Sequence, residues 1–139
     1  MLAPPEVFPC RRVLHESPDR MKAPTLAIML VRLAWLLALV LGVLFWGGYG
    51  GPPIHAHMTA GGLVVVGLWW LGLLGVNRMK GLAIAVLAMG VLVPVVGMAQ
   101  ISGDWGTALP AVQIVHVAVD FAAIGLAEAL AGRLRRAKH

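Results

Sequence analysis

At 139 residues, with 60% hydrophobic and only 12% charged side chains, this chain is too apolar for an ordinary water-soluble domain, in which about a quarter of residues are charged. Its net charge of +5 is spread over short segments and ends, which excludes the clustered basic face of a nucleic-acid binder and points to membrane orientation and anionic lipid headgroups. A single cysteine, Cys10, excludes an internal disulfide and a thiolate metal centre.

In chain order, residues 1–22 are rich in Pro and Arg, contain no apolar run, and read as a disordered or untranslated tail. Met21 opens the sequence MKAPT ahead of an apolar run and reads as a natural start. Residues 23–139 then form one domain with four apolar spans, 26–46, 54–76, 81–101 and 111–131. Each is long enough to cross a hydrocarbon core of about 30 Å at about 1.5 Å per residue. The first is longer than the apolar core of a signal peptide and no clear small-residue cleavage site follows it, so it reads as a retained helix. Connections of a few residues make successive helices antiparallel. The predicted fold is all-α, an up-and-down four-helix transmembrane bundle.

Ten of the eleven Lys and Arg residues fall in the N-terminal tail, the 77–80 loop or the C-terminal end. The eleventh, Arg32, lies in the first turns of the first span and can snorkel toward the same face. The opposite loops, 47–53 and 102–110, carry one charge, Asp104. The positive-inside rule makes the basic face cytoplasmic, with both termini there, and the expected location is a bacterial-type inner membrane.

Prolines 52, 53 and 110 stand at helix starts, where a missing N–H is tolerated, and Pro94 with Gly90 and Gly97 is expected to kink the third helix. The many glycines of the second span suit close helix packing. Trp46 and Trp105 suit an interfacial belt, whereas one of Trp69 and Trp70 is expected to pack inside the bundle.

Ionisable residues inside apolar spans are costly and mark function. His55 and His57 begin the second span, about 200° apart around the helix, so only one faces inward. On the fourth, Gln113, His116, Asp120 and Glu128 fall within an arc of about 120° and define one inward stripe. Glu128 and Arg32 are expected to form a structural ion pair between helices. Counted from the helix starts, His57 and His116 differ in depth by roughly 3 Å, on helices that are diagonal in the bundle. Two imidazoles across a gap suit axial ligation of one haem iron, with Asp120 as an acceptor behind a ligand. Gly61, Gly62, Ala122, Ala123 and Gly125 would leave room for a flat macrocycle. The plainer alternative is that both histidines only hydrogen-bond between helices.

The segments HAHMTAGG at 55–62 and QIVHVAVD at 113–120 resemble the cytochrome b561-like group of small b-type membrane cytochromes, in which histidines on alternate helices hold haem. That resemblance implies haem b on His57 and His116, with electron transfer to a membrane or periplasmic redox partner. The group places a haem near each face; here no histidine lies in the basic half of any span, so at most one haem is implied. Two other functions stay open: a structural or accessory membrane subunit, and a small proton-linked transporter using His116, Asp120 and Glu128. No hydrolase constellation, phosphate-binding loop or HExxH helix is present.

Overall fold

The computed structural model describes residues 19–48 and 54–137. These form four α-helices: α1 (Asp19–Trp46), α2 (Ile54–Gly75), α3 (Lys80–Ser102) and α4 (Leu109–Arg136), with a short 3-10 turn at Gly106–Ala108 leading into α4. All four are long and apolar enough to cross a membrane, and the chain is a multi-pass membrane protein with an all-α four-helix bundle fold. Such a helix closes all its backbone hydrogen bonds internally, which lipid requires.

One feature of the helices departs from the sequence expectation. α1 begins at Asp19, so residues 19–22, expected in the tail, are helical, and the helix continues through Pro24 in its second turn. Once a helix is nucleated each added residue gains a backbone bond, so α1 propagates past the apolar segment. Pro94 lies inside α3, as expected. The remaining tail residues, 1–18, and Pro52 and Pro53 lie outside the described residues.

Each helix packs against its chain neighbours, and α1 also packs against α4. Across the diagonals, α2 touches α4 while α1 and α3 do not meet, so the α2–α4 diagonal is the short one. Small residues allow this proximity. A methyl group added at Gly67 would come within 2.5 Å of a Val31 methyl, and one at Gly75 within 2.8 Å of Leu130.

The packed core is not spread evenly along the bundle. On α1 the buried residues are Pro24, Ala27, Ile28, Val31 and Ala34, with none closer to the helix end at Trp46; on α3 none follows Val93, and on α4 none precedes Ala123. Leu68, Leu71 and Leu130 complete this layer in the half of the bundle bounded by Lys22, Arg78, Lys80 and Arg133. Among the described residues of the opposite half, Ala60 and, just past the middle of α3, Val93 are buried. The basic half is therefore a solid plug, and the other half holds the partly covered polar groups.

One ion pair clasps α1 to α4. The Arg32 guanidinium donates to both carboxylate oxygens of Glu128, through Nε to Oε1 and through Nη2 to Oε2 at 2.8 Å. Val31 packs at Gly67, about 12 Å from the end of α2 at Gly75, and Glu128 stands about 12 Å before the end of α4 at Arg136, so the two partners lie at similar depth. Removing either partner leaves a half-exposed charge beside lipid: Arg32→Ala and Glu128→Ala are each expected to lower the melting temperature in detergent by roughly 2–5 °C. Exchanging the pair, Arg32→Glu with Glu128→Arg, should recover part of that loss; recovery of none would show that the clasp contributes nothing to stability.

Candidate functional site

The polar side chains gather in the half of the bundle that the core leaves unfilled. His57, from the first turn of α2, is half-buried, whereas His55 is exposed at the helix start. His57 is thus the inward histidine of the two. Its Nδ1–H donates to the carbonyl of Ala38 on α1 at 3.0 Å. A carbonyl can only accept, so Nδ1 carries a proton. The ring stands edge-on to Phe45, with centroids 6.0 Å apart, and its Cε1 rests over Gly42.

His116 is held on the other side of the bundle. Its imidazole lies against Gly97 of α3, where an added methyl would be 3.2 Å from Cε1. Nε2 is 3.6 Å from Asp120 Oδ2 one turn along α4, too far for a hydrogen bond and close enough for electrostatic attraction. Nδ1 is buried with no hydrogen-bond partner among the described residues. Such an orphan costs about 1–3 kcal/mol in a protein interior.

The structure sets His116 beside Asp120 and seats His57 separately against α1, and it leaves other expected participants apart. No hydrogen bond or ring contact joins the two imidazoles; each is turned to a different neighbouring helix. Gly61 is half-buried with open space above it, consistent with a gap beside His57. Gly62, Ala122 and Gly125 lie on exposed helix faces and do not line the interior, while Ala123 is buried in the plug. The α4 stripe divides: Gln113, His116 and Asp120 are half-buried in the open half, and Glu128 is committed to Arg32.

Three contributors were not identified from sequence: the Ala38 carbonyl, Phe45 and Gly42. A backbone carbonyl carries no residue signature, and Gly42 is one of many glycines. Gly97, three residues after Pro94, admits the His116 ring. The tryptophans also have specific places. Trp69 lies across Gly90 of α3, and the Trp105 indole N–H donates to Ala99 O at 2.9 Å, closing the end of α3. Deeper in, Trp35 and Phe121 meet edge to face at 5.0 Å and join α1 to α4 beside Asp120.

No family model, no curated protein and no solved structure matches this chain.

Proposed function

We propose that this protein is a single-haem b-type membrane cytochrome, with His57 and His116 as axial ligands, sited in a bacterial inner membrane with the basic end in the cytoplasm. The observation that carries this reading is the state of the two imidazoles. Among the described residues no hydrogen bond is made by Nε2 of His57 or by either ring nitrogen of His116, and the two helices that carry them meet on the short diagonal. A metal-ligating histidine commonly has its other ring nitrogen tied to a carbonyl, and the Nδ1 bond of His57 to Ala38 is such a tie.

The donor set fits the group. Among the described residues no three His, Cys, Asp or Glu side chains cluster to hold a free metal ion. Two histidines are too few for such an ion and are the number required when a macrocycle supplies the equatorial ligands. Haem, when bound, would supply one-electron transfer. The chain's own part is to hold His57 through Ala38, to keep His116 against Gly97, to present Asp120 beside the pair, and to shut the site from the basic end with Leu68, Leu71 and Leu130. That buried layer favours a resident cofactor over a proton or substrate path through the bundle. The redox partner would meet the protein at the non-basic end, from the membrane or the periplasm.

The test is the visible spectrum of protein purified in detergent after expression with ample haem. A Soret band, with sharp α and β bands after dithionite reduction, is the expected result. A folded, helical, colourless protein that also fails to take up added haem would overturn the reading and leave an accessory-subunit role.

A further inference from the structure

The two hairpins of the bundle are equivalent in a way their side chains conceal. Every buried residue of α4, from Ala123 to Leu134, stands 59 positions after a buried residue of α2: Ala123 after Val64, Leu130 after Leu71, Ala131 after Gly72. Every buried residue of α3 stands 55 positions after a buried or half-buried residue of α1, as Val86 after Val31 and Val93 after Ala38. The same two registers carry His57 onto His116 and Gly42 onto Gly97. α1 and α3 run in one direction and α2 and α4 in the other, so the hairpins are related by rotation about the membrane normal, as in parallel internal repeats.

The contacts obey this register as well as the burial. In each hairpin, the histidine of the second helix lays its Cε1 edge over the glycine of the first: His57 over Gly42 and His116 over Gly97. A methyl group at Gly42 would stand 3.4 Å from Cε1 of His57, and one at Gly97 would stand 3.2 Å from Cε1 of His116. At Gly42 an added methyl would meet nothing but the ring within 4 Å, and at Gly97 its three nearest atoms all belong to the ring, so what each glycine makes room for first is the imidazole. We propose that Gly42 and Gly97 are equivalent positioning residues, one per hairpin, that set the two imidazoles as a matched pair. As positioning residues for axial ligands they rest on the bis-histidine reading.

The experiment adds bulk at each glycine and reads the ligand geometry. Oxidised, haem-loaded wild type is compared by electron paramagnetic resonance with Gly97→Ala, Gly42→Ala, Gly42→Val and the control Gly125→Ala, whose methyl would meet nothing within 4 Å. Gly97→Ala and Gly42→Val should displace the low-spin signal or convert part of it to high spin. Gly42→Ala, at ordinary van der Waals distance, should keep the fold and shift the signal less, and Gly125→Ala should leave it in place. Unchanged signals in Gly97→Ala and Gly42→Val, with haem still bound, would overturn the proposal. A wild type that binds no haem would sink the bis-histidine reading instead. The seats are then judged on histidine-labelled protein by nuclear magnetic resonance: Gly97→Ala should move the Cε1 signal of His116, and Gly42→Val that of His57. Unmoved signals would end the proposal there too.

Discussion

His116→Ala is expected to remove the low-spin haem spectrum while leaving the apoprotein at least as stable as wild type. The two halves of that outcome have separate causes. With one axial imidazole gone, the remaining ligand, His57, holds the iron alone, and haem retained through purification should fall at least about tenfold, given that even supporting residues around metal ligands change affinity about 10–100-fold. Stability should move the other way, because His116 Nδ1 is buried without a partner and removing it relieves a cost of about 1–3 kcal/mol, offset by the smaller side chain's lost packing. A residue kept only for interhelical hydrogen bonding would behave in reverse, with loss of stability and no change in colour. His57→Ala should lose haem equally but also destabilise the apoprotein, since its Nδ1–H bond to Ala38 O joins α1 to α2. Asp120→Asn keeps both imidazoles and should keep the colour. Haem titration with absorbance at the Soret maximum, alongside thermal unfolding by circular dichroism without haem, measures both halves. Retained low-spin haem in His116→Ala would remove it from the ligand set.

The largest structural loss is expected from Gly67→Leu. Gly67 packs against Val31 and faces the Ala27 carbonyl, so the α1–α2 contact there has no room even for a methyl group. A leucine would have to push the helices apart or force the Val31 and Leu68 side chains off their rotamers, at a cost of about 1–3 kcal/mol or more. In lipid the contact between helices depends on close packing rather than on exclusion of water, so a separated pair has little to hold it. Loss of monodisperse protein, or a fall in melting temperature of roughly 5 °C or more, is the expected readout. Gly62→Leu, on an exposed face with nothing within 4 Å, should change the melting temperature little. Equal behaviour of the two variants would contradict the close α1–α2 contact.

Much of this architecture was readable from the residues alone, for a specific reason. Apolar runs such as 81–101, basic residues confined to one set of loops, and connections of a few residues leave a membrane chain almost no alternative to an up-and-down bundle, because lipid offers no partner for an open backbone. Depth along a helix is also linear in sequence. That is why His57 and His116 could be put at one level, and Arg32 within reach of Glu128, before any contact was known. What sequence could not supply is rotation and approach. Whether His57 or His55 turned inward, that His57 donates a hydrogen bond to the Ala38 carbonyl, and that Gly42 and Gly97 receive the rings while Gly62 and Gly125 face outward are all set by how each helix rolls against its neighbours. With nearly every position apolar, the usual contrast between a buried and an exposed stripe is absent, so that roll is not written in hydrophobic periodicity. It is decided by which small residues allow close contact, and hence only in the assembled bundle, where the core filled the basic half and left the histidines in the other.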